Sequence, residues 1–200
     1  MNRANFSVYL TIKTICDYAV SILCLIILSP LMLVLSTLIF ITGRGPVIYF
    51  QKRTGKDGKI FLIYKFRSLK HGTDEGVDLI SDKYDRKITR VGRFMRKYKM
   101  DEIPNFINVL KGEMSIVGPR PEQEYYIEKI ELKEPQYKQL LKIKPGITSW
   151  GQVKYGYAST VDEMIERLRY DFYYLENRSF IFDLRIILHT IGIVMKGRGI

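Results

Sequence analysis

The feature that most constrains this chain is the run from Tyr18 to Gly43, 26 positions without a charged side chain. As a straight helix it would reach about 39 Å, against a hydrocarbon core of about 30 Å. Its centre reads LCLIILSPLMLVLS, Leu23–Ser36, with Ser29-Pro30 in the middle. Pro30 has no backbone N–H and its ring crowds the carbonyl near Ile26, so a helix loses a hydrogen bond there. The run is too long for the apolar part of a cleaved signal peptide, and no small-residue cleavage site follows before Arg44. It reads as a retained membrane anchor.

Basic residues flank it on both sides: Arg3 and Lys13 before, Arg44, Lys52 and Arg53 after. Cationic flanks favour the cytoplasmic face. A single span puts its ends on opposite faces, whereas a re-entrant helix–break–helix returns both to one. Ser29 can bond a carbonyl freed by the proline, which makes a break at membrane depth tolerable. On these grounds alone a proline-kinked span stays an equal alternative. The expected organisation is a membrane anchor over 1–45, broken at Ser29-Pro30, and a cytoplasmic, membrane-associated domain over 46–200.

Across 200 residues, 32 Lys and Arg against 21 Asp and Glu give a net charge of +11. Such an excess suits an anionic partner: nucleic acid, an anionic bilayer or a phosphate-bearing substrate. Cys16 and Cys24 are eight positions apart on a helix, too far for a disulfide, and no zinc spacing exists. The pattern fits a reducing compartment.

The remainder reads as α+β. Pro46–Phe50 and Lys59–Phe66 are β-rich and flank the turn TGKDG, a small hairpin. His71–Asp85 is acidic and Gly-punctuated, a surface loop. Ile88–Lys99 has helical spacing, and 122–130 and 136–143 are short helices parted at Pro135. PGITSWGQV, Pro145–Val153, reads as a loop. Thr160-Val-Asp-Glu163 is a capping box opening a helix through Leu175. A last helix, Ser179–Met195, is apolar over most of its circumference but carries Asp183, Arg185 and His189. It suits the membrane interface or a packed core.

The chemistry concentrates in MDEIPNFINVLKGEMSIVGPRP. Asp101 and Glu102 precede a helical pattern, with Asp101 as expected N-cap and Pro104 in the first turn. The positive helix pole would keep Asp101 ionised and would also favour a phosphate attached to it. A carboxylate so placed can attack phosphorus, provided Mg²⁺ and cationic side chains screen the phosphate. Capping alone would also explain the pair. Lys65 and Arg67 end the second expected strand, Arg96 lies five residues before Asp101, and Arg120 is held between two prolines. No Walker loop, GxGxxG, HExxH or Ser/His/Asp pattern is present, and neither His71 nor His189 sits where a catalyst would.

In order and over nearly the whole chain, the Ser29-Pro30 anchor, YKFRSL (Tyr64–Leu69), VGRFMRKYKMDEIPNFINVLKGEMSIVGPRP (Val91–Pro121), PGITSWGQV and the amphipathic C-terminus resemble the bacterial sugar transferases. These are the monotopic phosphoglycosyl transferases. Departures are mild: Met100 for a usual Leu, Asn105 for a frequent Gln, Glu113 for a frequent Asp, and Ser149 and Gly151 around Trp150 where Gly and Ala are commoner. The resemblance implies a catalytic domain over 46–200. It would move a sugar-1-phosphate from a UDP-sugar to polyprenol (undecaprenyl) phosphate, with UMP released. It implies Asp101 as nucleophile, Glu102 beside it for Mg²⁺ or protons, and Lys65, Arg67, Arg96 and Arg120 as phosphate ligands. It also implies the cytoplasmic face of the bacterial inner membrane, downstream glycosyltransferases as partners, and no nucleic acid. Two other readings stay open: a Mg²⁺-dependent membrane phosphatase or pyrophosphatase, and a membrane-anchored basic module without catalysis. The sugar, the glycan pathway and the oligomeric state are not legible.

Overall fold

The computed structural model describes residues 3–43, 45–70, 72 and 87–198. Apart from Gly72, the loop expected over His71–Asp85 lies outside these residues, as does Arg44 of the basic flank.

A 41-residue helix, α1 (Arg3–Gly43), opens the chain. The sequence pointed to two helices parted at Ser29-Pro30; α1 instead runs through Pro30 as one element. The local reason is visible. Ser29 Oγ donates to the Ile26 carbonyl at 2.8 Å, and that carbonyl is the one an N–H at position 30 would have bonded. Within α1, Ser7–Thr42 is long and apolar enough to cross a membrane. One side packs inward: Leu35 and Ile39 are buried with Phe66, Met95 and Ile103. The opposite side leaves Ile26, Ile27, Leu33, Phe40 and Ile41 between 63% and 71% exposed. The first half of α1 docks through polar groups. Tyr9 Oη and Lys13 Nζ each reach Asp183 at 2.9 Å, and Ser115 Oγ donates to Asp17 at 2.6 Å.

The expected hairpin forms as β1 (Ile48–Thr54) and β2 (Ile60–Phe66), antiparallel, with Ile48 opposite Phe66 and Thr54 opposite Ile60. The first strand runs further than its β-rich core implied. It includes Arg53 and Thr54, and the turn shrinks to a 3₁₀ turn at Lys56–Gly58. Next comes α2 (Arg90–Lys97), capped by Thr89, whose hydroxyl accepts from the Gly92 N–H. Gly92 is where α2 meets the chain leaving β2: a Cβ there would lie 2.1 Å from the Ser68 carbonyl oxygen.

Asp101 is not an N-cap. Met100–Glu102 forms a 3₁₀ turn entered through Lys99 in the left-handed region (φ 51°), and α3 (Asn105–Leu110) follows with Pro104 at its cap position. The N–H groups of Glu102 and Ile103 are taken by the Lys99 and Met100 carbonyls. The open helix pole inferred from sequence is therefore already bonded.

A second, parallel pair was not foreseen: β3 (Ser115–Val117) beside β4 (Gly146–Thr148). Its backbones approach so closely at Gly118 and Gly146 that a Cβ on Gly146 would lie 2.2 Å from the Gly118 nitrogen. PGITSWGQV is thus strand then helix rather than loop, with α5 (Trp150–Lys154) capped by Ser149. Between the paired strands lie α4 (Glu124–Lys133) and a 3₁₀ segment, Pro135–Lys142. The capping box forms as expected at the start of α6 (Val161–Glu176). Ser179 caps the last helix, α7 (Phe180–Met195), whose outward Ile181, Leu184, Leu188, Ile191 and Met195 form an exposed apolar stripe.

Candidate active site

Lys65, Arg67, Arg96, Asp101, Glu102 and Arg120 all line one cavity of about 410 Å³. The hairpin supplies Lys65 and Arg67, α2 supplies Arg96, the 3₁₀ turn supplies both carboxylates, and the chain after β3 supplies Arg120. Ser29 and Pro30 lie apart from it, on α1. Arg53, Lys99, Lys154 and Arg198 add to the lining. Eight cationic side chains thus surround two carboxylates, a field suited to an anionic substrate carrying several phosphate charges.

The two carboxylates differ in circumstance. Glu102 is gripped: Lys65 Nζ is 2.6 Å from Oε1, an Arg120 nitrogen 3.7 Å from the same oxygen, and Lys99 Nζ 4.0 Å from Oε2. Burial opposes its ionisation, but Lys65, Lys99 and Arg120 outweigh burial and hold its carboxyl well below the usual range. Burial pushes the Asp101 carboxyl up, and the Glu102 charge adds to this; Lys65, Arg96 and Lys99 only partly oppose it. The sequence reading had a helix pole keeping Asp101 ionised. Here the cationic wall, not a pole, is what favours the charged form.

Behind this pair runs a buried ionic chain that sequence reading missed. Arg120 lies between Glu102 and Glu122, its Nε 3.9 Å from Glu122. Glu122 in turn takes Arg167 at 2.6 Å and Arg53 at 3.3 Å. Arg53 also donates to the Pro121 carbonyl at 3.1 Å and to Gln51. Burial of Glu122 is outweighed by Arg167, Arg120 and Arg53, so its carboxyl is held low. In the sequence Arg53 is part of a basic flank, and Arg167 lies in a helix marked by its apolar face. On the far side, the α2 cation is fixed by Arg96 Nε donating to Ser68 Oγ at 2.9 Å.

A divalent cation was expected at Asp101 and Glu102. Among the described residues, no group of three or more His, Cys, Asp or Glu side chains could hold a metal. Two adjacent carboxylates nonetheless fit Mg²⁺, which typically takes one or two carboxylates with the rest of its shell from water and substrate phosphates.

The chain therefore presents a helix long and apolar enough to cross a membrane and a cation-lined cavity holding an acidic pair. The sequence model of the bacterial sugar transferases matches residues 8–197, and the chain belongs to that family. It is 38% identical over 192 residues to the UDP-N-acetylgalactosamine-undecaprenyl-phosphate N-acetylgalactosaminephosphotransferase of Aeromonas hydrophila, covering 96% of this chain and 45% of that protein. It is 39% identical over 181 residues to the UDP-glucose:undecaprenyl-phosphate glucose-1-phosphate transferase of Klebsiella pneumoniae, covering 90% and 39%. With EpsL of Bacillus subtilis, an uncharacterized sugar transferase, it shares 33% over 189 residues, 94% of this chain and 90% of that one. The chain thus spans less than half the length of the first two relatives.

Proposed function

We propose that this chain transfers a sugar-1-phosphate from a UDP-sugar to undecaprenyl phosphate and releases UMP. The observation that carries the reading is the placing of Asp101 and Glu102 in a cavity walled by Lys65, Arg67, Arg96 and Arg120. An Asp101 oxygen attacks the sugar-bearing phosphorus. The bond from that phosphorus to the oxygen of the UMP leaving group breaks, and UMP departs with the electron pair. The lipid phosphate oxygen then attacks the same phosphorus, and the Asp101 carboxylate is regenerated. Lys65, Arg67, Arg96 and Arg120 neutralise phosphate oxygens through both steps. Asp101 and Glu102 would hold Mg²⁺ with the diphosphate, and the ion would supply charge neutralisation there.

The proposed setting is the cytoplasmic face of the bacterial membrane, where a soluble donor and a lipid acceptor meet. The outward apolar faces of α1 and α7 support it. There, the continuous α1 within the anchor over 1–45 bends at Ser29-Pro30 so that both its ends face the cytoplasm, and the domain over 46–200 rests at headgroup level. The product enters a glycoconjugate pathway through downstream glycosyltransferases.

The test is a covalent adduct. Protein given UDP-sugar and Mg²⁺ without acceptor should gain the mass of the phosphosugar on the Asp101 peptide. Asp101→Asn should show neither adduct nor UMP release. Full turnover by Asp101→Asn overturns the mechanism, and free sugar phosphate formed without a lipid acceptor points to a phosphatase instead.

A further inference from the structure

A second cavity, about 480 Å³, lies where the first half of α1 meets the 3₁₀ segment and the end of α6. It shares no lining residue with the Asp101 cavity. Its lining includes five cationic side chains, Lys13, Lys56, Lys142, Lys144 and Arg178, against the single carboxylate of Asp17. The Lys13 charge is answered by Asp183 at 2.9 Å and Asp17 at 4.0 Å. Lys56, Lys142 and Lys144 form no ion pair among the described residues. Leu10, Ile143 and Leu175 give the same cavity an aliphatic side. Leu10, on α1, is itself 40% exposed.

Cations gathered over an aliphatic wall match a ligand with an anionic head and a hydrocarbon tail. We infer that this cavity is a binding site for an anionic membrane phospholipid, its headgroup phosphate taken by Lys142 and Lys144 and its first methylenes lying along Leu10 and Ile143. The inference rests on the membrane placement of α1 proposed above. The site gives the domain a second grip on the bilayer, away from the chemistry, and it would favour membranes rich in acidic lipid. A zwitterionic lipid gains less, because its ammonium faces the same lysines.

The probes are phosphatidylglycerol, phosphatidylcholine and inorganic phosphate, added to full-length protein in neutral detergent and read by native mass spectrometry. Wild type should retain phosphatidylglycerol at least tenfold more tightly than phosphatidylcholine, and Lys142→Gln/Lys144→Gln should lose at least tenfold of that affinity. UMP release by the variant in the same detergent should stay at the wild-type level, which shows that it is folded. Lys56→Gln, in the hairpin turn, should weaken retention independently. Equal retention of the two lipids, or undiminished retention by the double variant, overturns the proposal. Displacement of the lipid by equimolar inorganic phosphate overturns it in favour of a free-anion site. Carbonate extraction of wild-type membranes tests α1 separately: release of the protein sinks the membrane reading, whatever the headgroup preference in detergent.

Discussion

Lys65 holds Glu102 at 2.6 Å inside the cavity, and its charge favours the ionised form of both Glu102 and its neighbour Asp101 against burial. Burial lowers the Lys65 pKa and Glu102 raises it back part of the way; burial and the Glu102 charge both raise that of Asp101. In Glu102→Gln both groups therefore become more acidic. The ionised nucleophile survives to lower pH, and the Lys65 charge is lost at lower pH. The pH profile of UMP release without acceptor, at low donor and saturating Mg²⁺, should move towards acid on both limbs, with a rate lower by about 10²-fold. An unmoved acid limb would show that Glu102 does not govern Asp101.

Glu122 touches no reacting atom in the proposed mechanism, yet it faces Arg53, Arg120 and Arg167 together. It is a positioning residue: it aims Arg120 into the cavity. Glu122→Gln leaves the buried Arg53 and Arg167, and the half-buried Arg120, short of an anion, and breaking a buried pairing costs about 3–5 kcal/mol. The expected result is a large loss of thermal stability and a rise in KM for the UDP-sugar, with a smaller change in kcat. A matched fall in kcat with unchanged KM would place Glu122 in the chemical step instead.

The contrast between Asp101 and Glu122 shows what was legible. Asp101, Glu102 and the cations at Lys65, Arg67, Arg96 and Arg120 lie in short local motifs, and the hairpin, α2, the 3₁₀ turn and the chain after β3 bring them to one cavity. Glu122 and Arg167 are 45 positions apart and meet only in the tertiary fold. The β3–β4 pair is invisible for the same reason. Three residues per strand carry no periodicity, and the pairing depends on close approach at Gly118 and Gly146. At Asp101 the local pattern favoured a helix cap. The left-handed Lys99 redirects the backbone into a 3₁₀ turn instead, and no residue type announces such a conformation in a lysine.

Gly92 offers a cleaner steric test. With Ser68 in the way, Gly92→Ala must push α2 off the chain that follows β2. That would cost about 1–3 kcal/mol. It would also carry Arg96 away from Ser68 Oγ, so KM for the donor should rise several-fold. Gly192→Ala on α7 is the control: nothing lies within 4 Å of its added Cβ, and helix propensity predicts no loss. Equal melting temperatures for Gly92→Ala and wild type would refute the close contact.

Asp171 carries a pH signature of its own. Burial raises its pKa to about 6, against the pull of Arg167, the Gly151 N–H and Ser149. The unfolded value is about 3.9, so between these two pH values the folded state binds a proton that the unfolded state releases. Its contribution therefore favours folding at low pH and is lost as pH rises through 6, by about 3 kcal/mol in all. Asp171→Asn removes this dependence. The stability of wild type relative to the variant should fall between pH 4 and pH 7 in urea unfolding, and a constant difference would contradict the buried, proton-binding state.

Ser29 and Pro30 pose the last question, because α1 is continuous while its two basic flanks call for one face. Ser29 Oγ satisfies the Ile26 carbonyl, which lets the backbone bend at Pro30 without leaving a polar group bare in lipid. Single cysteines placed beside Arg3 and Arg44, after replacement of Cys16 and Cys24, should both react with an impermeant thiol reagent from the cytoplasmic side of inverted vesicles. Pro30→Ala returns an N–H to the Ile26 carbonyl and straightens the helix. A fraction of that variant should then protect the cysteine beside Arg3, with UMP release falling by the same fraction. Labelling of the two wild-type positions from opposite sides would make α1 a kinked span and overturn the re-entrant reading.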